Sequence, residues 1–228
     1  MCGRFNVIDN PDLNALLDFL GLNISLPTAI NIAPTETVAV VFAENQGNQI
    51  LPMRWWLTPH WAKEMTSKYA MFNARSEGLS RSPAFRGPFK YRRAIIPASS
   101  FIEWQKQKEG KQPLLIEPMT GAFAFAALWD RWQQGEYDIY SCTIITTAAV
   151  PGFESIHQRM PVILQPDEFA GWLDQQTPTD QLQRLLAPRL NAPLRITPLD
   201  RGINHGANKS PKVLRKIGEA MLIGVDDK

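Results

Sequence analysis

The sequence predicts an α+β fold, in which a curved or barrel-like, mostly antiparallel sheet is flanked by short helices. Three observations support this prediction. Short runs of apolar and β-branched residues recur through the middle of the chain, each bounded by turn-forming residues. The 228 residues include 18 Pro, a composition that favours turns and short strands over long helices. Apolar spacings of three and four, which are typical of helices, occur mainly near the two ends of the chain.

The first predicted helix begins after Asn10. Asn10 is a good N-cap, and Pro11 suits the first helical position because its missing N–H would have no partner there. Leucines spaced by three and four between residues 13 and 20 form an apolar stripe. Gly21 then provides the usual stop at the carboxyl end of a helix.

Strands are predicted from about residue 30 onward. The polar segment 106–111 is typical of a hairpin loop between two of them. Toward the carboxyl end we expect helices over 166–173 and 179–186, with short strands over 161–164 and 194–197. The central strands are predicted over residues 37–42, 50–57, 94–97, 101–104, 113–117, 122–129 and 140–147.

The composition is that of an ordinary soluble globular protein, with 44% apolar and 20% charged residues. No internal repeat or linker interrupts the chain. We therefore expect a single domain over residues 1–228, with the motif-bearing part in 1–164 and helices and short strands in 165–228.

The sequence contains two cysteines, Cys2 and Cys142. One disulfide between them stays open, but two cysteines in a chain of this length do not make a disulfide framework. Since there is neither a secretory signal nor an apolar run long enough to span a membrane, we expect a cytoplasmic protein with reduced thiols. No metal site or cofactor is expected, because the two Cys and three His lack ligand spacing and no glycine-rich phosphate loop occurs.

Charge is distributed unevenly along the chain. Residues 54–93 carry nine Lys or Arg and two Glu, a net charge of +7, so the rest of a chain whose total is +2 carries −5. A phosphate-binding face and a solvated surface with scattered ion pairs explain this segment equally well. The overlapping stretch 58–93 is also the longest one without clear periodicity, which favours a functional loop.

Cys2 is the strongest candidate for a reactive centre. Removal of Met1 would leave Cys2 with a free α-amine, whose pKa near 7.7–8.0 leaves about a tenth of it neutral at pH 7. A neutral amine attacks an aldehyde to give a Schiff base. The neighbouring thiol can then close a five-membered thiazolidine ring, and this step is favoured because it is intramolecular. The alternative is a buried or frayed cysteine without a role.

Three other residues could assist such chemistry. Glu103 lies in an apolar run, where burial would raise its pKa toward that of a proton shuttle, although a strand-edge Glu facing water is the alternative. His157 lies where a predicted short helix meets a strand, and the alternative is a structural histidine. Asn73 offers an amide that could bind a hydroxyl or position a ring nitrogen, and the alternative is a loop cap.

Six sequence blocks occur in order along the chain and together resemble the SOS response-associated peptidase (SRAP) family, the abasic-site processing proteins. The resemblance runs from residue 1 to about 164 and is faint beyond that point, at Ile203-Asn204 and Asn208. The blocks are 1–5 (MCGRF), 31–34 (NIAP), 54–61 (RWWLTPHW), 73–77 (NARSE), 96–104 (IPASSFIEW) and 157–161 (HQRMP).

The resemblance implies a DNA-damage protein that binds single-stranded DNA containing an abasic site. It implies that Cys2, once Met1 is removed, is the nucleophile that links covalently to the lesion. Asn73 is then the hydrogen-bonding partner, Glu103 the acid/base group and His157 the second proton shuttle. The implied DNA contacts are Arg4, Pro34, Trp61, Arg75 and Arg159.

The resemblance also implies peptidase action on the protein's own N-terminus and extends to lyase activity at abasic sites. We expect a monomer that associates with the nucleoid on damaged DNA. Three positions depart from the family pattern: Trp56 and Ser100 replace the usual Gly, and Val150 replaces a frequent Asn or Asp. These departures concern local backbone geometry and the fit to DNA rather than the chemistry.

Two other classes of function are open from the sequence. An N-terminal-nucleophile cysteine amidohydrolase would also expose Cys2 by processing, but it requires a four-layer αββα sandwich. A non-catalytic single-stranded DNA-binding module would use the basic segment alone and leave Cys2 incidental.

Overall fold

The structure is a computed structural model, and it describes residues 2–45, 47–65 and 69–224. The helices are α1 (Pro11–Phe19), α2 (Arg86–Tyr91), α3 (Pro166–Leu173) and α4 (Gln183–Leu186). The strands are β1 (Phe5–Val7), β2 (Ala29–Ile32), β3 (Thr37–Glu44), β4 (Gly47–Trp55), β5 (Asn73–Arg75), β6 (Arg93–Ala98), β7 (Ser100–Gln107), β8 (Gly110–Pro118), β9 (Phe123–Gln134), β10 (Tyr137–Ala148), β11 (Arg159–Pro161), β12 (Ile163–Leu164), β13 (Leu194–Pro198) and β14 (Met221–Ile223).

Five strands close into a barrel-like sheet. Each strand pairs with the next in the cycle β10, β4, β3, β6 and β9, and β9 pairs back with β10. The β4–β10 pairing is parallel, and the other four pairings of the ring are antiparallel. β5 runs parallel to β10, and β11 and β12 extend the sheet. The predicted α+β fold with a barrel-like, mostly antiparallel sheet and short helices is therefore confirmed.

A second sheet of six antiparallel strands lies against this barrel, in the order β14, β13, β8, β7, β1 and β2. One apolar cluster includes buried residues of both sheets. Phe5 of β1 shows how the two are joined, because its ring lies 5.0 Å from that of Trp55 and 6.1 Å from that of Phe125, both in the barrel. The amino-terminal strand is thus fixed between the two sheets.

Elements with strong local signals form where the sequence predicts them. The Asn10 side chain accepts a hydrogen bond from Leu13 N at 2.9 Å and caps α1. Gly21 follows with a φ of +74°, a conformation that glycine adopts without strain. α3 spans the predicted residues 166–173, and the seven central strands all form, with shifts at their ends.

Three predictions of local structure are wrong in extent. The predicted hairpin loop 106–111 shortens to two residues, because β7 continues to Gln107 and β8 begins at Gly110. Gly110 has a φ of +113°, which permits this tight turn.

The predicted helix 179–186 forms only over α4, since a leucine pattern alone does not sustain a helix against neighbouring turns. The stretch 58–93, without clear periodicity in sequence, contains β5, a 3₁₀ turn over Ser76–Gly78 and α2.

Part of the basic segment 54–93 has a structural role. The buried Arg93 guanidinium donates hydrogen bonds to carbonyl oxygens at the ends of α2 and α3, including Phe89 O at 2.9 Å and Trp172 O at 2.6 Å. Arg92 forms an ion pair with the buried Asp130 at 3.1 Å. Arg92 and Arg93 are therefore bound within the protein, and neither of the two interpretations of the segment describes them. Among the described residues, no helix has the length and apolar character needed to cross a membrane.

Candidate active site around Cys2

Pairing of the first strand with β7 places Cys2 near Glu103. Phe5 pairs with Phe101, and Ile102 N donates to Arg4 O at 2.9 Å. Because residues on antiparallel strands pair in opposite order, this register puts residue 3 opposite Glu103. Two residues distant in sequence, a cysteine and a carboxyl group, are therefore brought to one place by strand pairing alone.

The Cys2 thiol is enclosed by protein. Its side chain has 0% of its surface exposed, and its Sγ lies 4.0 Å from Arg4 O. Burial raises the pKa of the Cys2 thiol well above its usual value, and the nearby charge of Glu103 raises it further. Cys2 is thus held as a protonated thiol next to a carboxyl group.

Glu103 is a buried carboxyl group, with only 2% of its surface exposed. Burial raises the pKa of Glu103 because the charged form loses its hydration, while the charge of His157 acts in the opposite direction. Glu103 therefore keeps its proton to a higher pH than an exposed glutamate does. This is the property that a proton donor requires near neutral pH.

Asn73 touches the cysteine directly. It lies on β5, which the neighbouring strand β10 fixes by pairing Ile144 with Asn73. The Asn73 Nδ2 atom donates to Cys2 O at 2.9 Å. Its Oδ1 atom is buried without a hydrogen-bond partner among the described residues, so it has an acceptor available to a bound ligand.

His157 lies on the turn that precedes β11 and is half-buried. The backbone N–H of Arg159 donates to its Nδ1 atom at 2.9 Å. Nδ1 also lies 3.1 Å from Arg159 O, so the backbone of Arg159 holds this side of the ring. The structure therefore brings together the four residues predicted for catalysis, with Asn73 in contact with Cys2 and with Glu103 close enough to Cys2 and His157 for their charges to interact.

Two of the predicted DNA-contacting arginines are engaged within the protein. The Arg4 Nη1 atom donates to Asn31 Oδ1 at 2.6 Å and to Ile203 O at 3.1 Å. Arg159 forms a two-point ion pair with Glu77, at 2.6 and 3.0 Å, and this arginine holds the pKa of Glu77 below its usual value. A phosphate at either guanidinium would have to use the N–H groups that these contacts leave free, or displace the contacts.

The other predicted DNA contacts lie at the surface. Arg75 is exposed and follows Asn73 by two residues on β5, whereas Pro34 is half-buried. Trp61 has 56% of its surface exposed and borders an apolar cavity of about 350 Å³. Their contact with DNA stays a prediction.

Asn31 and the segment after residue 200 are site-forming elements that the sequence interpretation left without a role. Asn31 stood in a family block, and Ile203-Asn204 and Asn208 formed the faint match in the last third of the chain. The structure places all of these around Arg4. The match to the family at these positions was visible in the sequence, but it did not indicate a role. Most of the contacts to Arg4 use backbone carbonyl groups, which any residue supplies.

The three departures from the family pattern are accommodated by local packing. Trp56 packs against Phe72 with ring centroids 5.7 Å apart, and its φ is not in the left-handed region that favours glycine. The Ser100 hydroxyl accepts a hydrogen bond from the buried Asn6 at 2.8 Å. Val150 is buried.

The fold and the cluster together define a protein with a buried cysteine beside a carboxyl group suited to proton transfer. The chain belongs to the SOS response associated peptidase (SRAP) family, whose model matches residues 1–206. Among the described residues, no group of three or more His, Cys, Asp or Glu is arranged to hold a metal ion.

Named relatives occur in bacteria and animals. Abasic site processing protein YoqW of Bacillus subtilis (strain 168) is 35% identical over 223 residues, covering 94% of this chain and 99% of the relative. Abasic site processing protein YoaM of the same organism is 38% identical over 197 residues, covering 82% of this chain and 86% of the relative. Abasic site processing protein HMCES of Gallus gallus is 31% identical over 199 residues, covering 75% of this chain but only 59% of the relative.

Solved structures share the fold. A protein from Bordetella bronchiseptica aligns with a TM-score of 0.76 at 22% identity, covering 87% of this chain and 100% of that chain. A protein from Bacteroides thetaiotaomicron aligns with a TM-score of 0.71 at 22% identity, covering 80% of this chain and 82% of that chain. At this identity the likeness shows the fold alone.

Proposed function

We propose that this protein acts on abasic sites in single-stranded DNA and forms a covalent bond to them through Cys2, as part of a response to DNA damage. The names of the relatives support the class of lesion. The observation that carries the proposal is the position of Cys2, which is hydrogen-bonded to Asn73 and close to Glu103. An abasic deoxyribose in its open form presents the aldehyde with which an aminothiol reacts.

The first stage of the proposed reaction is formation of an imine. With Met1 removed, the α-amine of Cys2 attacks the aldehyde carbon and gives a carbinolamine. The carbinolamine hydroxyl then leaves as water, taking a proton from the Glu103 carboxyl group. The raised pKa of Glu103 supports this step, because the carboxyl group keeps its proton to a higher pH than an exposed glutamate does.

The second stage closes the ring. The Cys2 sulfur adds to the imine carbon, and its proton passes to the Glu103 carboxylate. Glu103 thereby regains the proton that it gave up, and the overall change is aldehyde plus aminothiol to thiazolidine plus water. Because burial keeps the Cys2 thiol protonated, this step needs a proton acceptor, and the nearby Glu103 carboxylate is the proposed one.

In this proposal, His157 transfers a proton to or from the abasic sugar, and Asn73 binds one of its hydroxyl groups. Opening of the cyclic abasic sugar requires transfer of a proton, for which the His157 ring near Glu103 is suited. The unpartnered Oδ1 of Asn73 would accept a hydrogen bond from a sugar hydroxyl. The same groups permit reversal, since each step can run backward.

The proposed substrate is a single strand because the lesion must leave the base stack to reach a buried thiol, and unpairing a duplex costs free energy. Arg75, Arg159, Trp61 and Pro34 are the proposed contacts to the strand. We infer that the protein works as a monomer on damaged DNA in the cytoplasm, and that Met1 is removed either by its own peptidase reaction or by an aminopeptidase. Lyase activity at abasic sites belongs to the same proposal.

The experiment uses full-length protein whose lack of Met1 is verified by mass. It is incubated with single-stranded DNA containing one abasic site and analysed on a denaturing gel. We expect a slower band that is absent with Cys2→Ala and absent with DNA lacking the lesion. Absence of that band with the processed, folded wild-type protein would falsify the proposal.

The two alternative classes of function are less well supported. The N-terminal-nucleophile amidohydrolase requires an αββα sandwich, and the barrel-like sheet with its antiparallel partner sheet is a different architecture. A non-catalytic DNA-binding module gives no reason for the cluster at Cys2, and it would show salt-dependent binding without a covalent product.

A further inference from the structure

Arg4 is held by its neighbours through an extensive set of contacts. Its Nη1 atom donates to Asn31 Oδ1 at 2.6 Å and to Ile203 O at 3.1 Å, and its Nη2 atom lies 3.4 Å from Asn204 O. The backbone of Gly206 also closes against it, since a Cβ atom there would lie 3.0 Å from Arg4 Nη2. One side of the guanidinium is therefore covered by the segment that follows residue 200.

Asn31 holds the segment after residue 200 against Arg4 by hydrogen bonds to both. It is fully buried and has a φ of +57°, an uncommon conformation for a residue other than glycine. Its Nδ2 atom donates to the carbonyl oxygens of Ile203, His205 and Asn208 at 3.3, 3.0 and 3.1 Å. A single amide thus joins Arg4 to three backbone carbonyl groups that lie 172, 174 and 177 residues beyond Asn31 in the sequence.

The network reaches the reactive residues from two sides. Arg4 O accepts from Ile102 N at 2.9 Å, which fixes the backbone two residues from Cys2. The Arg4 guanidinium lies over the Trp104 ring at 5.6 Å, and Trp104 Nε1 donates to Asn204 Oδ1 at 2.7 Å. Trp104 follows Glu103 in sequence, so the same contacts support the strand that carries the carboxyl group.

We propose that Arg4 is a positioning residue, which with Asn31 and the carbonyl groups of residues 203–208 fixes the strand that presents Cys2, and that it makes no phosphate contact. A phosphate that displaced Asn31 Oδ1 and Ile203 O from Arg4 Nη1 would leave these acceptors unpaired, a costly change. The inference rests on the proposed covalent function. It reassigns a residue for which the family resemblance implies a DNA contact.

The test separates the rate of bond formation from DNA binding. Crosslinking is followed at saturating abasic single-stranded DNA, where the first-order rate constant does not depend on the folded fraction and the amplitude reports that fraction. The salt dependence of binding is measured separately on intact single-stranded DNA. Loss of one phosphate contact reduces the slope of log K against log salt by about 0.7.

We expect Arg4→Lys and Arg4→Gln to lower the rate constant about tenfold and to leave the salt slope as in the wild type. Lysine keeps the charge but cannot form the forked hydrogen bonds. Asn31→Gly tolerates the left-handed backbone and removes the amide, and it should lower the rate constant similarly without altering Arg4. The matched control Arg131→Gln, on the exposed side of β9, should change neither quantity.

The opposite result is equally clear. A slope reduced by about 0.7 in Arg4→Gln, or an unchanged rate constant in Arg4→Lys or Asn31→Gly, overturns the inference. If an Arg4 variant does not fold, Asn31→Gly decides the question through the same rate constant. Failure of the wild type itself to crosslink overturns the proposed function instead, so the two failures are distinguishable.

Discussion

The surroundings of the two cysteines differ in one respect that matters for reactivity. Cys2 and Cys142 both have 0% of their surface exposed, and burial raises the pKa of both thiols. Cys142 lies in the barrel wall on β10, opposite Trp129 and Trp55, and burial alone accounts for its pKa. Cys2 lies beside Glu103 and is hydrogen-bonded to Asn73. Both thiols are enclosed by protein, but Cys2 has a carboxyl group and an amide beside it, whereas Cys142 lies between tryptophans.

The largest expected effect comes from replacing each thiol by a hydroxyl. Cys2→Ser keeps the α-amine but replaces the sulfur that closes a stable ring, so the heat-stable crosslink should be lost, whereas Cys142→Ser should crosslink at the wild-type rate. Borohydride reduction should recover a product from Cys2→Ser by trapping its imine. The measurement is a denaturing gel with and without reductant. A heat-stable, unreduced crosslink in Cys2→Ser would show that sulfur takes no part.

The next effect comes from the carboxyl group. Glu103→Gln keeps the shape of the side chain but transfers no proton, and we expect crosslinking to slow by about 10²–10⁴-fold. In the wild type, loss of the Glu103 proton as pH rises through its raised pKa should oppose the gain in neutral α-amine, so the rate constant should increase less with pH than the amine fraction does. In the variant the rate constant should follow the amine fraction. Rate profiles between pH 5 and 9 that coincide for the two proteins would exclude Glu103 as the proton donor.

A smaller effect concerns stability, and here replacement of Cys142 is expected to have the larger effect of the two. Cys142→Ser places a hydroxyl among apolar side chains, and it should lower the free energy of unfolding by about 1–3 kcal/mol. Cys2→Ser should cost less, because the Cys2 side chain lies near the carboxyl group of Glu103, whereas burial alone raises the pKa of Cys142. Urea denaturation measures both, with an unchanged m-value as the check that only stability has altered. Equal losses would mean that the two environments are equally apolar.

The smallest expected effect is a pH-dependent gain in stability. Since the folded-state pKa of Glu103 is raised, its contribution is fully present below the unfolded value near 4.3 and is lost as pH rises through the folded value. Glu103→Gln should therefore be more stable than the wild type at pH 8, and the gain should disappear near pH 4. Melting temperatures at the two pH values measure this gain. A variant with the same melting temperature as the wild type at pH 8 would contradict the burial argument.

Local signals explain which parts of the fold were predictable. α3 and the cap of α1 follow from residues within a few positions of each other, and both form as predicted. β5 has only three residues and exists because β10 pairs with it. α2 has no side-chain cap at its start, and Arg93 from the following strand binds its last carbonyl groups. Structure that depends on distant partners leaves little trace in a single sequence.

The candidate site likewise contains residues that the sequence identifies and contacts that it does not. The resemblance to a family identified Cys2, Asn73, Glu103 and His157, and the structure places these four together, while their roles in catalysis stay predictions. The enclosure of Arg4 could not be predicted, because its acceptors are mainly main-chain oxygens. A sequence motif identifies side chains, whereas the acceptors around Arg4 are mainly backbone carbonyl groups.

The contact between Arg4 and Ile203 joins residues 199 positions apart, and this separation has a consequence during protein synthesis. At about 5–20 residues per second, about 10–40 s pass between the two residues at the ribosome. Throughout that interval the strand with Cys2 lacks its final support, and the terminus is accessible for trimming. The candidate site around Cys2 is therefore completed only at the end of translation, after the barrel strands have been made.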